Sequence, residues 1–426
     1  MLQVNFIREQ KDTIITGLKK RGWSDEKMSI LDQIMQADDR RKATQTEQDV
    51  LLSKINQHSK SIGDLFKSGK QAEANVLKEE VAAIKASSQT LDEELKNTKT
   101  ELENLLFQVP NVPNELVPSG TTDEDNEVYQ DLDGSLPDLG AEASPHWELA
   151  SKYNLIDFVK GVQIAGAGFP VYMGKGARLQ RALVQFFLNE ANDAGYLELN
   201  TPFVVNEDSA RGTGQLPDKE GQMYHAEVDN FYLIPTAEVP VTNMHRNEIL
   251  AEADLPKKYT AFSPCFRREA GSYGADVKGL NRLHQFEKVE IVQMVHPSTS
   301  YEVLDQMIKH VEGLLIKLEL PYRILRLCGG DLGFTSALTY DFEVYSGAQK
   351  RWLEVSSVSN FETFQSNRLK LRYKGDDGKK HLVHTLNGSA LALPRIMASL
   401  LENNQTSDGI VIPEVLRKYT GFDMIN

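Results

Sequence analysis

Cysteine is almost missing from this sequence. Cys265 and Cys328 are the only two in 426 residues, far apart and without Cys-x-x-Cys spacing. That pattern argues against a disulfide scaffold and against a zinc site. Long apolar runs are missing too: no stretch of about 18 apolar residues occurs, so no membrane-spanning helix is expected. The first residues carry Arg8, Glu9, Lys11 and Asp12 and show no signal-peptide core. These absences lead to the expectation of a cytoplasmic, reduced protein with no membrane partner. Positive charge is in short supply, with 47 Lys and Arg against 61 Asp and Glu and a net charge of −14. A whole-surface grip on nucleic acid is therefore not expected, and any RNA contact must use a local patch.

Familiar nucleotide signatures are also lacking. No Gly-x-x-x-x-Gly-Lys-Ser/Thr is present, and Gly166-Ala167-Gly168 and Gly212-Thr213-Gly214 lack the third glycine of a dinucleotide fingerprint. Both read better as turns. An ATP site here has to rely on arginine side chains. The nine histidines form no metal-ligand pattern, so His58, His225 and His310 are read as structural or surface residues. No regular strand–helix alternation marks a Rossmann fold, and an α+β fold with a mostly antiparallel sheet flanked by helices fits better.

The first hundred residues carry the clearest pattern. Leu77, Val81, Ile84, Ser88, Leu91, Leu95, Thr98, Leu102 and Leu105 are spaced alternately by four and three, the seam of a coiled coil. Upstream, Gln48, Leu51, Ile55, His58, Ile62 and Leu65 keep the same steps. Between the runs lies Lys67-Ser68-Gly69-Lys70, a polar turn whose glycine suits a helix stop. The spacing predicts an antiparallel helical hairpin with arms of roughly 50 Å at ~1.5 Å per residue, projecting from the body. It should end near Val109-Pro110-Asn111-Val112-Pro113. Lys54, Lys60, Lys67 and Lys70 against Asp64 give the tip a local positive excess, which fits RNA backbone binding as well as a merely solvated face. The expected domains are residues 1–113, an acidic linker over 114–145 that includes Thr121-Thr122-Asp123-Glu124-Asp125-Asn126-Glu127, and a body over 146–426. In the body, Leu179, Ala182, Leu183, Phe186, Phe187 and Glu190 mark an amphipathic helix. Short β-like runs occur at residues 231–234, 289–295, 351–356 and 381–386.

Candidate chemistry concentrates in residues 262–290. Ser263-Pro264-Cys265-Phe266-Arg267-Arg268-Glu269 precedes a loop with Gly271, Gly274 and Gly279, and Arg282-Leu283-His284-Gln285-Phe286-Glu287-Lys288-Val289-Glu290 follows it. Strand alternation would put Arg267 and Glu269 on one face. Arginine grips phosphate with a planar fork, a carboxylate accepts from an amino group, and Phe286 can stack on a base. Taken singly, Arg267 beside Glu269 is more often a salt-bridged surface pair. Cys265 is either a thiolate activated by neighbouring cations or, more simply, a small buried strand residue.

The combination of segments is more specific than any one of them. Phe266-Arg267-x-Glu269 resembles motif 2 of class II aminoacyl-tRNA synthetases. The amphipathic helix followed by Gly195-Tyr196-Leu197-Glu198-Leu199-Asn200-Thr201-Pro202 resembles motif 1, the dimer interface of that class. His384-Thr385-Leu386-Asn387-Gly388-Ser389, running into Arg395, resembles motif 3. Gly212-Thr213-Gly214-Gln215-Leu216-Pro217, Thr236-Ala237-Glu238, His284-Gln285-Phe286, Glu354-Val355-Ser356-Ser357 and the tail Ile412-Pro413-Glu414-Val415-Leu416-Arg417 look like the seryl subgroup. So does the N-terminal hairpin, which is similar to the tRNA-binding arm of seryl-tRNA synthetases. The resemblance implies an ATP-dependent ligase, a homodimer, that charges tRNA(Ser), and also tRNA(Sec), with L-serine.

By the same resemblance, Arg267 holds the α-phosphate, Glu269 the adenine amino group and Arg395 the γ-phosphate, with Phe286 stacked on the ring. Arg268, Leu283, His284, Gln285, Val355 and Ser356 complete the ATP site, and Glu354 with Ser357 holds Mg²⁺. Thr236, Ala237, Glu238, Arg267, Glu290, Asn387 and Ser389 line the serine pocket, while Lys54, Lys60, Lys67 and Lys70 meet tRNA. Arg267, Glu354 and Arg395 are the expected catalytic residues. Two other functions fit parts of this pattern: a paralogue that activates an amino acid for a non-tRNA acceptor, and an inactive RNA-binding scaffold. The hairpin speaks against the first and the retained charged residues against the second.

Overall fold

Both heptad runs fold as helices, α1 (Ile30–Lys67) and α2 (Gln71–Leu106), in a computed structural model that describes residues 1–140, 143–269 and 278–426. Arg40 pairs with Glu101 (2.6 Å), Thr44 bonds Glu94 (3.3 Å) and Gln48 bonds Asp92. One index rises as the other falls, so the helices run antiparallel. On α2, Val81, Ser88, Leu95, Thr98 and Leu102 are buried, and Leu77, Ile84, Leu91 and Leu105 half-buried; on α1, Gln48 is buried and Leu51, Ile55, His58, Ile62 and Leu65 half-buried. The seam is thus satisfied inside the hairpin. At the turn, Gly69 adopts φ +78°. Lys70 N–H donates to the Leu65 carbonyl (3.0 Å) and Gly69 N–H to Phe66 (3.2 Å), the paired bonds that close a helix through a left-handed residue. A Cβ at Gly69 would touch nothing, so backbone conformation rather than packing favours glycine there.

The hairpin and three short helices, Val4–Glu9, Lys11–Lys20 and Asp25–Met28, make up most of one compact unit, Met1–Lys19 with Trp23–Pro110. Asp38 is buried among Arg8 (3.1 Å), Arg41 (2.8 Å) and Lys42 (2.8 Å). Burial alone would raise its carboxyl, but these cations outweigh it and hold the group below its ordinary value.

The second unit, Lys20–Gly22 with Asn111–Asn426, is built on an eight-stranded sheet. Its strands are β1 (Glu127–Gln130), β2 (Leu197–Leu199), β3 (Lys257–Phe266), β4 (Gln285–Val295), β5 (Tyr322–Arg326), β6 (Leu338–Ser346), β7 (Arg351–Glu362) and β8 (His384–Ala392). The spatial order is β1-β5-β6-β7-β8-β4-β3-β2. Every neighbouring pair is antiparallel except β2 with β3. Helices α3 (Gly174–Asp193), α4 (Ser300–Lys317) and α5 (Leu393–Asn403) contribute Leu183, Phe186, Met307, Leu314, Ile396 and Leu400 to a core shared with Val289, Ile291, Phe342 and Leu386. Side chains alternate along β4. Val289 and Ile291 enter that core, whereas Val292 and Met294 join a second cluster with Tyr259 and Ala261. Lys288 and Glu290 share the latter parity, and that parity carries the site.

The stretch expected to be a linker differs in one respect: Glu127–Gln130 is an edge strand of the sheet, antiparallel to β5. Glu127 forms an ion pair with Arg326, and Tyr129 meets Tyr340 edge to face at 4.8 Å. A four-residue β-prone run is therefore recruited from acidic surroundings by these contacts and by Gln130, whose Nε2 donates to Glu312 (2.5 Å) and to the Tyr322 hydroxyl (3.2 Å).

Candidate active site

Beside β4, β7 and β8 opens a cavity of about 510 Å³, within the roughly 300–1,000 Å³ that small-molecule sites occupy. Arg267, Glu269, Leu283, Phe286, Glu354, Val355, Ser356, Ser357 and Arg395 line it, as do Thr236, Glu238, Glu290, Asn387 and Ser389. Residues spread over 160 positions of sequence are brought to one hollow.

Arg267 lies just past the end of β3. Its N–H donates to the His284 carbonyl (3.0 Å), extending the ladder by one bond. Its guanidinium sits 5.2 Å above the Phe286 ring, and Nε donates to the Pro235 carbonyl (3.4 Å). At Glu269 the backbone turns into the left-handed region, φ +47°, so strict strand alternation has already ended. Its carboxylate pairs with Arg282 (3.1 Å), and its N–H donates to Gln222 (3.0 Å). The bland alternative, an ion pair between Arg267 and Glu269, is not what forms. Gly271 and Gly274 lie outside the described residues.

At one end of the cavity two carboxylates are buried together. Glu290 is 2% exposed, pairs with the Lys288 ammonium (2.6 Å) and lies 3.5 Å from the Ser389 hydroxyl, its cross-strand neighbour. Glu238 accepts from Gln365 Nε2 (2.6 Å), and the Gln365 amide oxygen in turn accepts from Thr385 (2.7 Å). Burial, then the nearby Glu290, push the Glu238 carboxyl up to about 7, against the pull of Gln365, Lys288 and Arg267. Such a pocket suits a small molecule that brings its own positive charge and a hydroxyl.

At the other end Arg395, early in α5, donates through Nε to the Asn281 carbonyl (3.1 Å) and through NH1 to the Glu354 carbonyl (2.6 Å). Ser357 Oγ donates to the Glu354 carboxylate (3.4 Å), which is about half exposed. Behind them, burial and the charge of Glu354 hold the Asp341 carboxyl well above its ordinary range. Among the described residues no three His, Cys, Asp or Glu side chains gather to hold a metal. Glu354 and Ser357 offer adjacent hard oxygens, the partial donor set that Mg²⁺ takes when phosphates supply the rest, so the residues fit that ion.

Four residues expected at the site stand off the cavity wall. Arg268 is exposed and uses its N–H on the Gln222 carbonyl. His284 bonds Tyr224 (2.7 Å) and stacks on Phe169. Gln285 pairs with Phe266 in the ladder, and Ala237 is buried in the core beside Val241. In each case a neighbour in sequence takes the position facing the cavity. Cys265 is fully buried and burial raises its thiol, so the small-strand-residue reading holds. Lys288, Gln365, Asn281 and Arg282 were not anticipated. For Lys288 the signal existed, since Phe286, Lys288 and Glu290 alternate on one strand face; Gln365 reaches Glu238 from a distant helix and left none.

Comparison with known proteins agrees with this geometry. Residues 1–113 match the family model of the seryl-tRNA synthetase N-terminal domain, and residues 223–404 that of the tRNA synthetase class II core domain (G, H, P, S and T). The serine–tRNA ligase of Salinibacter ruber is 49% identical, covering 100% of this chain and 99% of that one. That of Geobacter sulfurreducens is 45% identical over 99% of each. Among solved structures, the seryl-tRNA synthetase of Pyrococcus horikoshii complexed with ATP has 33% identity and a TM-score of 0.89, covering 100% of this chain and 99% of that one. The cytoplasmic serine–tRNA ligase of Naegleria fowleri in complex with AMP has 26% identity and a TM-score of 0.85 with the same coverage. Full-length identity at this level, with both domains matched, is decisive: the chain belongs to the seryl-tRNA synthetase family.

Proposed function

We propose that this chain activates L-serine with ATP and transfers the seryl group to the 3′ end of tRNA(Ser), and also of tRNA(Sec), as a cytoplasmic homodimer paired through the motif 1 region. One observation carries the reading. A single cavity holds buried carboxylates at one end, Glu238 and Glu290, and arginines with an aromatic wall toward the other, Arg267, Arg395 and Phe286. A zwitterion with a hydroxyl and a polyphosphate with a base are the complementary pair.

In the first step the serine carboxylate attacks the α-phosphorus of ATP, forming the mixed anhydride and releasing pyrophosphate. Arg267 neutralises the α-phosphate, Arg395 the γ-phosphate, and Glu269 accepts from the adenine amino group while Phe286 stacks on the ring. Glu354 and Ser357 would hold Mg²⁺, which when bound would supply charge neutralisation on the phosphates. Thr236, Glu238, Asn387 and Ser389 orient serine. In the second step the terminal ribose hydroxyl of tRNA attacks the seryl carbonyl and AMP leaves. Positioning and fixed electrostatics supply the acceleration. Lys54, Lys60, Lys67 and Lys70, all exposed on the hairpin, meet the tRNA backbone. Amino-acid-dependent pyrophosphate exchange across the twenty amino acids tests the first step: serine alone supports exchange, and a preference for any other amino acid overturns the reading.

Glu290 accepts the serine hydroxyl proton. Glu290→Ala therefore lowers the serine-to-alanine ratio in exchange, by as much as about 10⁴-fold, since a site built for a hydroxyl rejects an analogue lacking it. An unchanged ratio in an active variant assigns Glu290 another role.

Glu238 makes the site pH-sensitive. Its folded carboxyl, at about 7, lies above the ordinary 4.5, so the folded state holds this proton more tightly than the unfolded chain. The stability gained is fully present below about 4.5 and is lost as pH rises through about 7. Serine binding runs the other way, because only the carboxylate attracts an ammonium. The KM for serine should rise as pH falls from 8 to 6, approaching roughly tenfold per unit. Glu238→Gln should flatten that profile; an equally steep profile in the variant places the titration elsewhere.

A further inference from the structure

His146 and Glu402 form a hydrogen-bonded pair with no solvent exposure on either side chain, outside the cavity wall. Glu402 lies on α5 seven residues after Arg395, two turns on and therefore on the same helix face. Its carboxylate accepts from His146 N–H (2.9 Å), His146 Nδ1 (2.6 Å), Gln349 Nε2 (2.9 Å) and the Ser346 hydroxyl. Four donors in a dry setting fix it as an anion.

The far side of the imidazole faces a different segment. Nε2 accepts from the Leu280 N–H at 2.8 Å. A backbone N–H can only donate, so Nε2 carries no proton and Nδ1 does; the ring is held as one neutral tautomer. Gly279 presses against the same nitrogen, at φ +67°, and a Cβ there would come within 2.2 Å of it. The next residue, Asn281, accepts Arg395 Nε on its carbonyl (3.1 Å) and donates from its side chain to Gln349 (3.0 Å). The connections close a loop, from Glu402 through His146, Leu280 and Asn281 to Arg395, and back along two turns of helix.

We propose that His146 is a positioning residue for Arg395: by holding Leu280 it sets the Asn281 carbonyl that aims the guanidinium into the phosphate end of the cavity. This rests on the phosphate role given to Arg395 above. His146 touches no substrate and acts only through that carbonyl. Its loss should raise the KM for ATP while leaving that for serine in place, because Glu238 and Glu290 are anchored on other elements.

The test is a double-variant cycle in serine-dependent pyrophosphate exchange. His146→Asn keeps a donor for Glu402 but is too short to reach Leu280, so it spares the buried carboxylate. It should raise the KM for ATP about tenfold, the scale of one charged hydrogen bond misdirected, and change the KM for serine less than about twofold. His146→Gln, whose amide oxygen extends to the Nε2 position, should recover most of the loss. In an Arg395→Ala background His146→Asn should add less than about twofold, since residues acting through one contact are non-additive. An undiminished effect in that background, or equal rises in both KM values at an unchanged melting temperature, overturns the proposal. An Arg395→Ala variant with normal KM for ATP refutes instead the phosphate role on which it rests.

Discussion

Arg267→Ala is expected to reduce serine-dependent pyrophosphate exchange by about 10³-fold or more, in a protein that still folds. Removing a single preorganised donor at a reacting centre commonly costs 10²–10³ in rate, and Arg267 presents a full charge as well. Its guanidinium is held between the Pro235 carbonyl and the Phe286 ring on the cavity wall. Folding should survive, because the residue is half-buried at a strand end rather than packed in the core. Arg267→Lys should recover little: an ammonium lacks the planar fork and loses the stacked position over Phe286. Exchange near the normal rate in a folded Arg267→Ala variant contradicts the assignment of this residue to the α-phosphate.

The helical hairpin was legible almost residue by residue, because its order depends on contacts a fixed step apart. The seam from Leu77 to Leu105 and the glycine turn at Gly69 follow from local periodicity and one backbone requirement. The site was legible where a motif residue faces inward on its own strand, as Phe286 and Glu290 do. It was less legible where adjacent motif residues alternate: Arg268, His284, Gln285 and Ala237 each neighbour a residue that lines the cavity but are not themselves in its wall. Lys288 was overlooked although strand parity places it between Phe286 and Glu290. Gln365, Asn281 and Gln349 act through tertiary contacts to partners tens to hundreds of residues distant, and no local pattern encodes those. The strand Glu127–Gln130 escaped notice for a related reason: acidic neighbours hid a run whose pairing is supplied by Arg326 and Tyr340.

The second large effect separates the hairpin from the cavity. Replacing residues 29–107 with a short Gly/Ser linker should leave serine-dependent pyrophosphate exchange largely intact and reduce tRNA charging drastically. The apolar seam is satisfied between α1 and α2, and every residue lining the cavity comes from the second unit. The long variable arm that serine tRNAs present in this family would then have no partner. Reversing Lys54, Lys60, Lys67 and Lys70 to glutamate should give a graded version, weakening tRNA binding and flattening its salt dependence as phosphate contacts are lost. Charging at the normal rate by the armless protein contradicts the tRNA-binding role, whereas loss of exchange shows that the hairpin is needed by the cavity.

The most direct measurement is the charging of total tRNA by the intact chain, with ATP, Mg²⁺ and each labelled amino acid supplied in turn. Serine should be attached in an acid-precipitable, base-labile ester, and the charged species should be the tRNAs with a long variable arm. Attachment of another amino acid in preference to serine, or brisk serine-dependent exchange with no charging of any tRNA, would contradict the account.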